Sequence, residues 1–300
     1  MLTQSPLPAQ HSRSHIFSVD VEDYFQVVAF ERIVERSQWG RYPSRVEANT
    51  DRLLELLDRH GVRGTFFTLG WVAMRFPGLV RRIAGQGHEV ASHGQWHRRV
   101  TTLTPAEFRA DIRQSKAVLE DAAGQSCLGF RAPSFSIVPR SEWALDVLIE
   151  EGYRYDSSLF PIRRPDYGFP DALPIPARLT RPAGSLLEFP LATLEVAGLR
   201  LPAAGGGYLR QFPLGVIRRA FHQWESRGVS AMFYIHPWEY DVEQPRIPCG
   251  ALTAFRHYRN LDRTWPRLER LLAEFRFTSV VDQFREHLDL DAPAYRGVGS

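Results

Sequence analysis

The chain has 300 residues with 44% hydrophobic content, enough to bury one large core or two smaller ones. Its 37 basic and 34 acidic side chains leave a formal charge of +3, too mild an excess for the basic stripe that nucleic-acid binding requires. The two cysteines, Cys127 and Cys249, are too few and too far apart for a thiolate metal cluster, and they read as free buried thiols.

Residues 1–14 read as a flexible polar leader lacking the apolar stretch of a secretory signal, and no apolar window of about 18 residues could cross a membrane. A cytoplasmic, reducing setting is therefore expected. The first strand is expected at 16–19, a short apolar run that stops at Asp20. A helical stripe over 46–60, with Val46, Leu53, Leu54, Leu56 and Leu57 on one face, ends at Gly61. A strand follows at 64–69, a helix at 77–84 and a short strand at 89–91. Thr104, Pro105 and Glu107 form a capping box for a helix that ends near Gly124.

A strand at 128–130 feeds Arg131, and a helix over 141–151 precedes a strand at 153–155 that runs into Asp156. Over about 160–212 prolines are frequent, Gly205, Gly206 and Gly207 are consecutive and periodicity fades. This reads as a loop-rich insertion with short antiparallel strands at 186–189 and 191–196. Glu188, Phe189 and Pro190 are assigned to it. A helix at 215–224, a strand at 229–235 ending in His236, a long helix over 252–275 bent near Pro266 and a strand at 277–281 complete the pattern. The tail over 286–300 is expected to be flexible.

Strand and helix alternate, which implies a parallel sheet covered by helices. Asp20, Arg131, Asp156 and His236 stand at four separate strand ends, where barrel enzymes keep their chemistry. No P-loop or GxGxxG pattern supports a nucleotide fold.

Asp20, Glu22 and Asp23 crowd carboxylates at one strand end, which needs a cation or an arginine to offset the repulsion. In extended chain Asp20 and Glu22 face the same side, whereas Asp23 joins them only if the chain turns. His93 and His97, four residues apart, are read as stacked on one helical turn and able to share a divalent ion with one of those carboxylates. Two nitrogens and one oxygen suit zinc or another first-row ion better than magnesium. His236 is a natural general acid for a leaving amine, and Asp20 a general base.

These residues carry a family resemblance. The segments Ser18-Val19-Asp20-Val21-Glu22-Asp23-Tyr24-Phe25, Gly87-His88-Glu89-Val90-Ala91-Ser92-His93-Gly94 with His97, Arg131-Ala132-Pro133-Ser134-Phe135-Ser136 and Phe233-Tyr234-Ile235-His236-Pro237-Trp238-Glu239 resemble, in order and spacing, the motifs of polysaccharide deacetylases of the NodB-homology type. More narrowly, the chain resembles the subgroup encoded with exopolysaccharide and exosortase systems. The resemblance implies an α/β fold, a distorted seven-stranded β/α barrel, as one catalytic domain over 15–285. It implies metal-dependent removal of N-acetyl groups from an amino-sugar polysaccharide or lipid-linked saccharide, with possible association with membrane-bound synthesis machinery at the inner membrane.

By the same resemblance Asp20 is the base, Arg131 its orienting partner, His93 and His97 ligands of one divalent ion, zinc first, and His236 the acid. Asp156 is the expected partner of His236 or a wall of the groove. Many relatives place two aspartates side by side where this chain interposes Val21, so the third ligand is Glu22 or Asp23, with Glu22 preferred. A backbone amide near Ser134 or Phe135 would stabilise the oxyanion. Tyr24, Trp96, Phe135 and Trp238 are expected to stack on sugar faces, and Tyr208 and Arg210 to form a lid or groove. The alternatives are hydrolysis of a small amide and a non-catalytic carbohydrate-binding relative.

Overall fold

The short apolar runs pair as parallel strands, because they are buried in the core and most are joined to the next by a helix that crosses back over the sheet. The computed structural model describes residues 2–8, 14–164 and 167–288. Its strands are β1 (Thr3–Pro6), β2 (Ser14–Val21), β3 (Thr65–Thr68), β4 (Glu89–Ser92), β5 (Gly129–Phe130), β6 (Tyr155–Asp156), β7 (Ala177–Arg181), β8 (Gly184–Glu188), β9 (Thr193–Val196), β10 (Leu199–Pro202), β11 (Met232–Ile235) and β12 (Arg276–Thr278). Among the described residues seven of them form one parallel path in the order β8-β6-β5-β4-β3-β2-β11. One isolated parallel bridge, Leu191 to Met232, joins the chain just beyond β8 back to β11. The path curls into the distorted barrel, with that single bridge as its seam.

The helices are α1 (Val46–Arg59), α2 (Gly70–Arg75), α3 (Pro77–Gly85), α4 (Pro105–Ala123), α5 (Trp143–Glu150), α6 (Gly206–Gln211), α7 (Leu214–Glu225), α8 (Ala251–Tyr258), α9 (Leu261–Glu274) and α10 (Val280–Phe284). The predicted capping box of α4 is present: Glu107 N donates to Thr104 Oγ1 at 3.3 Å and Thr104 N to Glu107 Oε2 at 2.9 Å. Gly124 closes the helix at φ 66°. Among the described residues no helix is long and apolar enough to cross a membrane. Both cysteines are free, Cys127 buried and Cys249 partly so.

Four expectations need correction. Residues 3–6 of the expected leader form β1, an antiparallel partner of β7, held because Gln4 donates to the Asp171 carbonyl and accepts from Leu173 N, each at 2.9 Å. The long helix breaks at Asn260, not at Pro266: Asn260 adopts φ 58°, which asparagine tolerates, while α9 runs on through the proline. Beyond β12, residues 280–284 turn into α10 instead of extending the strand. The loop-rich insertion contains β8, a full member of the parallel barrel that carries Glu188, together with β7 on its outer edge and the β9–β10 hairpin. Of the expected tail, Glu286–Leu288 form a short 3-10 turn, and residues 289–300 lie outside the described residues.

Candidate active site

Because every parallel strand runs the same way, the residues that follow β2, β4, β5 and β11 meet at one end of the barrel. They open into a cavity of about 420 Å³ lined by Asp20, Glu22, His93, His97 and His236 among others.

Asp20 is 2% exposed, and Arg131 Nη1 donates to its Oδ1 at 2.6 Å. The arginine is fully buried. Its Nη2 donates to Ser157 Oγ at 2.9 Å, and its guanidinium lies 4.0 Å over the Phe67 ring. Such a fork is held on both sides, so it orients the carboxylate it meets.

Glu22, His93 and His97 come together with their ligand atoms all within 4.8 Å of one another. His97 Nε2 and Glu22 Oε2 are 2.8 Å apart, yet that oxygen is buried with no aligned hydrogen bond among the described residues. Lone pairs so placed converge on a common point, as ligands of one cation do. His93 Nδ1 lies 2.8 Å from the Arg131 carbonyl, which can only accept, so Nδ1 carries the proton and Nε2 is left for a metal. The donor set fits a divalent first-row ion. Burial would push the Glu22 carboxyl up, but the His97, His236 and His93 imidazoles outweigh it and hold the pKa below the ordinary value.

His93 and His97 do not stack on a helical turn. The chain leaves β4 as a loop in which Gly94 takes φ 77° and His97 φ 49°. Two remote groups that sequence reasoning missed hold this shape. Asp111 Oδ2 on α4 accepts Gln95 N at 2.7 Å, and Arg36 donates to the carbonyls of Trp96 (2.7 Å) and His97 (3.2 Å). Nothing local in the 93–97 segment signals either partner.

Asp23 stands apart from the cluster. Its Oδ2 accepts Ser44 Oγ at 2.5 Å, Arg45 N at 2.9 Å and Val46 N at 3.3 Å, so it caps the start of α1. Asp156 does not reach His236 either. It is fully buried, accepts from Ser158 Oγ at 2.5 Å and lies beside Glu188 in the β6–β8 register. Burial drives the Asp156 pKa up to about 6, and burial with the Asp156 charge drives Glu188 well above its usual range.

As carboxylates alone, this pair leaves Glu188 Oε2 without a donor, which one shared proton supplies. Both folded pKa values are raised, so the pair stabilises the fold below the ordinary carboxylate range and that contribution fades as pH rises through about 6 and above. Glu188→Gln keeps an acceptor for Leu159 N and supplies a permanent donor to Asp156. Its melting temperature should gain roughly 2–4 °C on the wild type between about pH 5 and about pH 8, read by thermal unfolding across pH. A constant difference would show that no shared proton is involved.

His236, with 17% side-chain exposure, is open to the cavity. Its Nε2 is 3.8 Å from Asp20 Oδ2 and 3.5 Å from Glu22 Oε1. Burial lowers its pKa, but Glu239, Glu22 and Asp20 together raise it to about 9.

The aromatic expectations divide. Phe135, Tyr208 and Trp238 line the cavity, joined by Phe160, Tyr167 and Tyr234. Tyr24 has no exposure and packs edge-on against Phe25 in a second core cluster, so it cannot stack on a ligand. Trp96 packs toward Trp39, outside the cavity lining. Arg210 touches the cavity but is 3% exposed, too deep for a lid. The Phe135 amide already donates to the Ala132 carbonyl at 3.0 Å, while Ser134, also on the wall, sits at φ 55°.

Comparison with known proteins adds the following. Residues 39–155 match the family "Polysaccharide deacetylase", and residues 157–285 match "Domain of unknown function (DUF3473)". A peptidoglycan-N-acetylglucosamine deacetylase of Bacillus cereus is 33% identical over 98 residues, covering 32% of this chain and 36% of the relative. A chitooligosaccharide deacetylase of Bradyrhizobium sp. is 31% identical over 99 residues, covering 33% of this chain and 43% of the relative. The matches thus span about two fifths of the length of these curated relatives. A crystal structure named for a polysaccharide deacetylase of Mycobacterium smegmatis has a TM-score of 0.63 at 20% identity, covering 100% of this chain and 99% of that one. PuuE allantoinase has a TM-score of 0.57 at 15% identity, covering 95% and 92%. At these identities the likeness shows the fold alone.

Proposed function

We propose that this chain, whose residues 39–155 match the polysaccharide deacetylase family, hydrolyses the N-acetyl groups of an amino-sugar saccharide. The observation that carries this is the convergence of the Asp20–Arg131 pair, the Glu22–His93–His97 cluster and His236 in one cavity. Amide hydrolysis needs a base, an electrophile and an acid within reach of one bond, and these groups are of those three kinds.

Glu22, His93 and His97 would hold one divalent ion, zinc before others, and such an ion supplies Lewis acidity toward the acetyl carbonyl and lowers the pKa of water. Asp20 takes the proton from the attacking water. Arg131 holds that carboxylate at one oxygen, so its other oxygen faces the cavity. The Ser134 amide, on the wall, is the donor for the carbonyl oxygen as negative charge builds on it. His236 Nε2 delivers a proton to the departing nitrogen. Phe135, Tyr208 and Trp238 offer aromatic faces to sugar rings.

The names of the relatives support an N-acetylated amino-sugar substrate; the finer reading proposed is a polymer or lipid-linked saccharide on the way to an exopolysaccharide, handled at the cytoplasmic face of the membrane beside the synthesis machinery. Acetate release from N-acetylglucosamine oligomers tests the core reading. Metal-stripped protein should be inactive and zinc should restore release; zinc binding without release from any N-acetylated oligomer would overturn it.

A further inference from the structure

An imidazole that hands a proton to a leaving amine must keep one nitrogen facing the cavity. The strand-end carboxylate expected to fix His236, Asp156, is committed elsewhere. Glu239 stands in that place. Its Oε2 is 3.2 Å from His236 Nδ1 and accepts the His236 backbone N–H, also at 3.2 Å. Its Oε1 accepts Arg210 Nε at 3.2 Å. Arg210 is itself anchored, its Nη1 donating to the carbonyls of His257 (2.8 Å) and Arg259 (3.0 Å).

The consecutive glycines, which the mechanism leaves unused, make room for this arrangement. A Cβ on Gly206 would lie 1.8 Å from Glu239 Oε2, and one on Gly205 would lie 2.4 Å from the Tyr234 ring. Trp238 stacks on His236 with centroids 5.1 Å apart and rests on His257 at 4.3 Å, so the imidazole is fixed in plane as well.

We propose that Glu239, braced by Arg210 beside Gly205 and Gly206 at the start of α6, is the positioning residue that sets His236 for proton delivery. The proposal rests on the deacetylase reading. An ionised carboxylate at Nδ1 can only accept, so Nδ1 holds its proton and Nε2 is the nitrogen that exchanges. When the C–N bond of the tetrahedral adduct breaks, its electron pair goes to nitrogen, which takes the Nε2 proton. The imidazole is left neutral with Nδ1–H still on Glu239. The proton that Asp20 took from water then passes to Nε2, 3.8 Å away, and acetic acid and amine leave, ionising to acetate and ammonium.

The test compares zinc-loaded wild type and Glu239→Gln on two acyl substrates. An N-acetylglucosamine oligomer releases an amine that must be protonated, whereas 4-nitrophenyl acetate releases a phenolate that need not be. Glu239→Gln should lower kcat on the oligomer by about 30-fold or more, with KM within about twofold and ester hydrolysis falling far less. Equal losses on both substrates would overturn the proposal, because a merely structural residue lowers both alike.

A second readout is independent of turnover. In imidazole proton–nitrogen correlation spectra, wild type should show a slowly exchanging downfield Nδ1 proton, assigned to His236 by its absence in His236→Gln and lost in Glu239→Gln. An unchanged Nδ1 signal in Glu239→Gln would sink the proposal. Wild type inactive on the oligomer but showing that Nδ1 proton would instead indict the deacetylase reading and leave the Glu239 geometry standing.

Discussion

Asp20→Asn is expected to keep zinc and lose turnover by on the order of 10²–10⁴-fold, the range that a positioned general base contributes. Asparagine is nearly isosteric, and its amide oxygen can still accept from Arg131 Nη1, which meets Asp20 Oδ1 at 2.6 Å. What disappears is the second oxygen, the one facing His236 across 3.8 Å, and with it any means of taking a proton from water. A competing account makes Asp20 only the counter-ion of a fully buried guanidinium. On that account the substitution costs stability, up to the roughly 3–5 kcal/mol of a broken buried pair, while each folded molecule turns over normally. Acetate release normalised to folded, zinc-loaded protein separates the two. A normalised rate within about tenfold of wild type would remove Asp20 from the chemistry.

The strand ends were the legible part of the molecule, and the reason is local. A short apolar run that stops at an Asp, Arg or His advertises both a buried strand and the polar face it feeds, as at Asp20, Arg131 and His236. Loop shapes were not legible, because groups far away in sequence set them. A separation of four residues suits a helical turn, but His93 and His97 lie in a loop held by Asp111 and Arg36. Asp156 stands where a catalytic carboxylate would stand, but a burial partner from β8 claims it. Tyr24 lies within the first motif but packs away from the cavity, into a second core cluster with Phe25, Phe30, Trp39 and Trp238.

The cavity also explains why the two matched segments cannot be separate machines. Asp20 and Glu22 precede residue 39, His93, His97 and Arg131 lie within the polysaccharide deacetylase match, and His236 and Glu239 lie within the segment of unknown function. The sheet runs through the boundary without a break, β6 pairing with β5 on one side and β8 on the other. The segment of unknown function therefore supplies β8, the barrel seam and the histidine wall of the site.

Glu22→Gln and Asp23→Asn should divide two roles that adjacent carboxylates share in sequence. At the end of β2 successive side chains alternate faces, so Asp20 and, one residue past the strand, Glu22 line the cavity with Val21 between them in the core. Asp23 comes after the strand has ended, where the chain turns and its carboxylate meets the first amides of α1. The intervening valine thus places the Glu22 carboxylate two positions from Asp20, and its longer side chain reaches to within 2.8 Å of His97 Nε2. Loss of a partner behind a metal ligand already costs about 10–100-fold in affinity, so loss of the ligand oxygen in Glu22→Gln should weaken zinc by roughly 100-fold or more. Asp23→Asn should leave zinc affinity within a few-fold and cost about 1 kcal/mol of stability, the usual worth of a helix cap. Competition with a chromophoric chelator and thermal unfolding read the two effects. If instead Asp23→Asn loses the metal and Glu22→Gln keeps it, the capping assignment fails and the chain must rearrange at Val21 when the ion enters.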